Sequence, residues 1–600
     1  GLLDKRDIYG RLTKARRTLA LFQHHDAITG TSKNSVMENY SRLLHEASRL
    51  AGEAIEHSVA ALNGGKQQFT MLEFAAEFDQ TLSLAPLTVD AKNSVRLSVY
   101  NSLPSLRYTV ISVLCRSSLV VVKEETGDGY TQEVAAQLEP ALVKGVLDPS
   151  LYMISFRTRL LPLSSTRFVF SHVSQPSPSL VISKLTTTAS FLAGMQKRVP
   201  KEFTVSSVGS GELHLKNAAV ETAHDPDSGL LQVVRGGKLG DQPLSLDFAA
   251  FSGSSGGAYI MRASHSPTKV GSATNDRLFV SGPVREVAHV WVEEILVQSL
   301  SIHNLPGDLA SQLHLQLRVD ITKKSNYELV MQIKSRERAN SSGNTTEPSF
   351  FTDSVGLQMI RRDFFESIGT AANYYPMPSS AFVQDGDKRI TVLTNVEHGI
   401  RRTSAPLSME IMLDRKLNQD DGKGLGGGAD GIPNDMKPVE MGFTILTEHR
   451  SGEASLDSHF AQLSPSASLA LQRLLYPPVT LFTTAEEQPS LPDPLSSPSF
   501  PCSLQLLTVR QLPSGRHLLI LFRHAVDCAF ESKEAACSHL EFGSSLAGLL
   551  SHFGLSSSER VLPTLLNGVS PSGPELLATP ESLGPLLPEP MKFLALTFRL

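Results

Sequence analysis

Gln23-His24-His25-Asp26 stands out as a group whose side chains could bind a metal or a sugar. Imidazole suits zinc, and a neighbouring carboxylate can accept hydrogen bonds from a sugar hydroxyl. The group follows Ile8, Leu12, Ala15, Leu19 and Phe22, which recur at spacings of 4, 3, 4 and 3, one face of an α-helix. Three and four residues beyond Phe22 come His25 and Asp26, so both are expected to continue the inward face. His24 falls about 200° from Phe22 and is expected to point elsewhere. Inward polar groups at a helix end are costly unless something binds them. The competing explanation is a helix terminus whose His and Asp satisfy loop backbone groups, since one imidazole does not make a zinc site.

The elements that must hold this group begin with a second helix. After Thr29-Gly30-Thr31-Ser32 the helical spacing returns at Val36, Tyr40, Leu43, Ala47, Leu50 and Ala54. Thr31 or Ser32 is expected to cap it, and Asn63-Gly64-Gly65 to stop it. Two helices with one apolar stripe each cannot bury both stripes unaided, so a further helix or a sheet is expected to cover them. From about Gln68 the texture changes to short β-branched or aromatic runs, such as Val95–Asn101, Tyr108–Leu114, Ala288–Val297, Leu313–Ile321 and Tyr327–Ile333. Asp225-Pro226-Asp227-Ser228-Gly229 reads as a hairpin turn. Ser464–Leu475 reads as an isolated helix capped by Ser464, and Pro477–Phe500 as a surface excursion or linker. The fold class is therefore α+β: a short helical-bundle segment followed by all-β, sandwich-like domains. The expected divisions are a helical segment 1–65, a first β-domain 66–205, a large β-sandwich 206–480 and a C-terminal β-domain 481–600.

Composition sets outer limits. Hydrophobic residues at 41% and charged residues at 19% describe a folded chain rather than a disordered one. A net charge of -5 with no basic domain argues against nucleic acid as a partner. No apolar run reaches the roughly 18 residues a membrane helix needs, so membrane attachment is expected only through an N-terminal anchor outside this sequence. Cys502, Cys528 and Cys537 cluster late, and a Cys528–Cys537 bridge is the candidate disulfide, worth about 2–3 kcal/mol. Asn39, Asn340 and Asn344 head N-x-[ST] sequons, candidates for glycosylation in a secretory compartment. Gly422, Gly424 and Gly427 match a dinucleotide fingerprint without the strand and helix it needs, and Gly253–Gly257 match a nucleophile elbow without its setting. Both are read as turns.

The run Lys14–Thr31, with Phe22-Gln23-His24-His25-Asp26-Ala27-Ile28-Thr29-Gly30-Thr31 at its end, closely resembles the middle-domain motif of class II α-mannosidases, glycoside hydrolase family 38. Three further stretches agree in order. Ala372-Asn373-Tyr374-Tyr375-Pro376-Met377-Pro378 resembles the family's N-[FY]-Y-P-M-P loop. Asp414-Arg415-Lys416-Leu417 through Asp420-Asp421 to Gly424-Leu425-Gly426 resembles its D-R-R-L…D-D-x-R-G-L-G segment. Arg523, followed by Cys528 and Cys537, fits the late strand-and-cysteine pattern. The Met-Pro and Gly-Leu-Gly details are closer to the Golgi branch than to the lysosomal one.

The resemblance implies a zinc-dependent, retaining exo-α-mannosidase that trims α1,3- and α1,6-linked mannose from an N-glycan oligosaccharide in the Golgi lumen, anchored as a type II membrane protein when complete. It makes His25 a ligand of Zn2+ and has Asp26 bind sugar hydroxyls. Tyr375 (Tyr374 being the second choice) and Arg523 are implied substrate contacts. Retaining chemistry needs paired carboxylates, and the family's N-terminal barrel, which supplies them together with an H-x-D zinc pair, has no counterpart here. His24/Asp26 is the sole H-x-D in the sequence, and His224-Asp225-Pro226 sits at the predicted hairpin. The sequence is accordingly read as the part C-terminal to that barrel, inactive by itself. A lysosomal-type enzyme and a barrel-less carbohydrate-binding remnant are the alternatives, and a homodimer is left open.

Overall fold

The computed structural model describes all residues except 1–3, 63–67, 127–129, 209–212, 237–240, 253–255, 264–265, 272–274, 336–348, 404–406, 427–431, 435–436, 452–460, 485–499, 531 and 533–540. Asn340, Asn344, Cys537 and the expected helix stop at 63–65 lie outside the described residues, while Asn39 is exposed on the second helix.

Helix α1 (Lys5–Phe22) opens at Asp4, whose side chain accepts from the Asp7 N–H. Helix α2 (Asn34–Leu62) begins later than expected: Lys33, not Thr31 or Ser32, precedes its first residue, and the Lys33 carbonyl takes the Val36 and Met37 N–H groups. The two helices pair through Phe22 edge-on to Tyr40 at 5.6 Å and through Arg11–Glu53 and Lys14–Glu46 ion pairs. Ala47, Leu50 and Ala54 of α2 are buried, and its last turns pack Val59 and Ala60 on Phe69 and Leu481. α1 has no buried residue, and Leu19 stands 56% exposed. The α2 stripe is thus buried at Ala47, Leu50 and Ala54, while the α1 stripe stays half-buried with Leu19 exposed.

Two sheets make the first β unit, with Phe156, Phe168 and Phe170 packed between them. Arg107–Cys115 and Val146–Leu160 are neighbours in the four-stranded sheet. The six-stranded sheet holds a correction: Val479–Thr483, expected within a linker, is a strand lying between Thr70–Met71 and Val95–Tyr100. A five-residue apolar strand followed by a Pro/Ser-rich stretch is easily absorbed into the loop reading. Lys184–Thr188 and Val205–Val208 run the other way across the expected division, joining the large sheet through Asp276–Ser281.

The second β unit sets an eleven-stranded sheet against a six-stranded one around Phe248, Met331, Ile411 and Phe443. The Asp225–Gly229 hairpin joins Val220–His224 to Leu231–Gly236 as expected, with Asp225 Oδ1 accepting from Asp227 and Ser228 N–H. Ala288–Val297 is not one strand: the chain turns at Glu293, where φ is 50°, between Arg285–Val292 and Leu296–His303. Pro465–Leu475 is a helix whose Ser464 cap accepts from Ala467 N–H at 2.9 Å. In the C-terminal unit a five-stranded sheet packs on a helix, Phe542–His552, absent from the sequence reading. Its Phe542, Leu546, Leu549 and Leu550 keep helical spacing, but the Gly and Ser between them mask it.

Cys502 is disulfide-bonded and Cys528 is a free, exposed thiol, so the expected Cys528–Cys537 bridge does not form. Sequence proximity favoured the short loop. The buried Cys502 carries a disulfide instead.

Candidate functional site

α1 ends at Phe22, where the Gln23 N–H donates to the Ala20 carbonyl and the His24 N–H to the Leu21 carbonyl. Residues 24–30 then form a turn pinned by Ala27, 1% exposed, with Gly30 at φ 67°. Helical rotation therefore stops before His24, and the expectation that His24 points away is overturned. His24 Nε2 and His25 Nε2 stand 3.4 and 3.3 Å from Asp26 Oδ2, and the two rings lie 4.3 Å apart. His25 is also not inward: its side chain is 83% exposed.

Asp26 is held from its other oxygen. Oδ1 accepts from the Thr31 hydroxyl at 2.9 Å and from the Tyr259 hydroxyl at 3.4 Å, and the Asp26 carbonyl accepts from the Ser32 hydroxyl. The Thr31 hydroxyl, and after it the two imidazoles and Tyr259, hold the carboxyl below the usual carboxylate range against partial desolvation. Of the two hydroxyls expected to cap α2, that of Thr31 thus orients this carboxylate and that of Ser32 holds its backbone carbonyl.

His24, His25 and Asp26 can each offer one donor atom, all within 4.8 Å of one another. Two ligands bonded to a tetrahedral zinc at about 2.0–2.1 Å stand about 3.3–3.4 Å apart. Both imidazole–carboxylate separations match that edge, and nitrogen with oxygen is a donor set zinc accepts, so these residues fit the ion. They supply three donors, and a closed shell needs a fourth.

Tyr259 was not singled out from the sequence, and a tyrosine in a Gly/Ser loop gives no signal there. Its placement comes from the Asp414–Gly426 segment. Asp421 Oδ2 accepts from the Tyr259 and Ile260 N–H groups at 2.9 Å each, and the Arg415 guanidinium donates to the Gly257 and Ile260 carbonyls at 3.3 Å while pairing with buried Glu328. Gly424, at φ 150°, lies under the Tyr259 ring, where a Cβ would stand 3.1 Å from the hydroxyl oxygen.

Beside this loop opens a cleft of about 830 Å³, lined among others by Thr29 and Gly30 of the turn, by Tyr374 and Tyr375, and by Asp414 and Arg415. Three of the stretches that carried the resemblance meet there. The Tyr375 hydroxyl donates to the Asp363 carbonyl at 2.5 Å, and its ring lies 5.3 Å from Arg362. Tyr374 donates at 2.6 Å to Glu410, a fully buried carboxylate that also takes Arg401 and Gln332. Burial, then Glu410, pushes the Tyr374 phenol far up, so it stays a donor at all working pH. Arg523 does not line this cleft: at the end of strand His517–Arg523 it donates to the Pro588 carbonyl at 2.9 Å.

The description "Alpha mannosidase middle domain" fits residues 2–62, and "Glycosyl hydrolases family 38 C-terminal domain" fits residues 215–423. The chain belongs to glycoside hydrolase family 38. Thr29, Gly30, Tyr374, Tyr375, Asp414 and Arg415 of the cleft fall inside those ranges. Among relatives of this family 38 chain, Alpha-mannosidase 2x of Mus musculus is 30% identical over 99% of this chain and 52% of its own length. Alpha-mannosidase 2 of Homo sapiens is 27% identical over 88% of this chain and 46% of its own, and Lysosomal alpha-mannosidase of Cavia porcellus is 26% identical over 70% of this chain. The chain spans about half the length of the curated relatives it matches. A solved α-mannosidase of Enterococcus faecalis V583 superposes with a TM-score of 0.54 at 12% identity, over 98% of this chain and 63% of that one, which establishes the shared fold.

Proposed function

We propose that this chain is the non-barrel part of a zinc-dependent, retaining exo-α-mannosidase of the alpha-mannosidase 2 type, which trims α1,3- and α1,6-linked mannose from N-glycans in the Golgi lumen. The observation that carries this reading is the meeting of the His24-His25-Asp26 turn, the Tyr374–Tyr375 loop and the Asp414–Gly426 segment around one cleft. Zinc, when bound, would hold hydroxyls of the terminal mannose. His25 is the ligand assigned by the resemblance, with His24 as near to the carboxylate.

The chain's own residues then bind and orient. Asp26 accepts hydroxyl hydrogen bonds as a fixed anion, and Tyr374 and Tyr375 line the wall against which a sugar ring lies. Retaining hydrolysis needs two carboxyl groups about 5–5.5 Å apart, one nucleophile and one acid. The resemblance assigns both of these to the family's barrel, so the 600 residues alone are expected not to turn over a mannoside. An aryl α-mannoside assay with and without a zinc chelator tests this. Chelator-sensitive turnover by the purified chain sinks the division of labour, and absence of any zinc binding sinks the metal assignment.

The exposure of His25 and the three-donor count also suit a carbohydrate-binding role without turnover. Binding of mannose without zinc would favour that second reading.

A further inference from the structure

We propose that a second cleft, between the first and second β units, binds a saccharide carrying an oxyanion. In the antiparallel register of Arg107–Cys115 with Val146–Leu160, Tyr108 lies directly opposite Arg159, and Arg157 is two residues along the same strand. Directly opposed residues and residues two apart share a sheet face, so these three side chains form one patch on the outside of the four-stranded sheet. The facing wall comes from the second unit, through Asn217, Asn304 and Pro306, and the open cleft between them measures about 690 Å³. That lies within the usual range for a small-molecule site.

The charge in this cleft is unbalanced. None of the residues lining it is acidic, although the chain as a whole carries -5. Arg157 uses one N–H on the Asn304 carbonyl at 2.9 Å, which steadies it against the opposite wall. The Arg159 and Tyr108 side chains make no hydrogen bond or ion pair among the described residues, so a guanidinium fork and a phenol are left open to a ligand. The wall itself is fixed: Asn217 donates to the His303 and Ala310 carbonyls at 3.0 and 2.8 Å, and Asn304 to the Pro283 carbonyl at 3.0 Å.

Two neighbouring guanidinium groups repel unless an anion lies between them, and the planar fork matches a carboxylate or phosphate in bidentate fashion. Tyr108 and Pro306 add apolar surface against which the C–H face of a pyranose can lie. Two cations are too few for a nucleic-acid backbone, which asks for a stripe of them. The residues are separate from the His24-His25-Asp26 turn, so this site stands or falls apart from the proposed mannosidase chemistry.

The test titrates the 600-residue chain at low ionic strength with 3′-sialyllactose and glucose 6-phosphate, against lactose and glucose, by calorimetry or ligand-observed NMR. At least one acidic sugar is expected to bind about tenfold or more tighter than its neutral counterpart. Which one does so distinguishes a carboxylate from a phosphate ligand. Arg157→Ala with Arg159→Ala should abolish the difference, with a small fall in melting temperature for the lost bond to the Asn304 carbonyl, and Arg159→Gln, at a side chain with no internal partner, repeats the test with folding secure. Equal binding of acidic and neutral sugars, indifference to both sets of substitutions, or equal affinity for inorganic phosphate or an acidic peptide would overturn the proposal.

Discussion

Asp421 fixes Tyr259: one carboxylate oxygen takes the Tyr259 N–H at 2.9 Å and the following N–H at the same distance, and the phenol so placed reaches the Thr31 carbonyl at 3.1 Å. Asp421 of the Asp414–Gly426 motif thus acts through a loop that the motif does not contain. Replacing Asp421 with Ala should free that loop, costing about 1.5–3 kcal/mol for hydrogen bonds to a charged acceptor. Hydrogen exchange should show lost protection at 256–262 with the β cores unchanged.

Gly424→Ala should act on the same phenol from the other side. The backbone at φ 150° disfavours any Cβ, and the added atom would meet the Tyr259 hydroxyl at 3.1 Å. We expect a loss of about 1–3 kcal/mol in stability, partly restored when Tyr259 is shortened to Phe. No restoration in the double variant would show that the strain is purely backbone.

His24→Ala and His25→Ala should each weaken zinc by about tenfold or more, because both nitrogens stand at ligand spacing from Asp26. Competition with a chromophoric chelator reads this without any enzymatic assay. Should His24→Ala leave affinity unchanged, His25 alone carries the metal and the second imidazole only packs beside it. Asp26→Asn separates binding from charge.

Acid should destabilise the protein well above the carboxylate range. His224, His289 and His398 are buried, and desolvation pushes their imidazoles down to about 4, about 3 and about 4. An unfolded-chain histidine titrates near about 6.5. Between those values the unfolded state binds more protons, so stability present above about pH 6.5 is lost as pH falls through the folded-state values. Each residue contributes on the order of 3 kcal/mol across the whole window. Melting temperatures should fall steadily from pH 7 to pH 5, and His224→Gln should flatten that slope even where it lowers stability at neutral pH.

Thiol labelling should separate the cysteines cleanly. Cys528 is exposed and should react with iodoacetamide in the native protein, whereas buried Cys115, its thiol pushed up by desolvation, should react only after unfolding. Cys502 should label only after reduction.

Local patterns were legible in the sequence and long-range ones were not. Spacing located α1, α2 and the Ser464-capped helix, because capping and apolar periodicity act within a few residues. The same reasoning failed at His24, since rotation says nothing once Gln23 ends the helix. The resemblance drew attention to Tyr375 and to Asp414–Gly426, yet the role of Arg415 and Asp421 in carrying Tyr259 to Asp26 depends on contacts between distant parts of the chain. The disulfide was misread for the same reason: proximity in sequence stood in for proximity in space.

The strand Val479–Thr483 lies between Thr70–Met71 and Val95–Tyr100. During vectorial synthesis the first sandwich therefore emerges with one seam open and stays so until nearly all of the second β unit has left the ribosome. In that interval Val95–Tyr100 presents an unpaired apolar edge of the kind that recruits foreign strands. A nascent chain stalled before Val479 is thus a client for a holding chaperone, whereas one released after Thr483 can close its own seam.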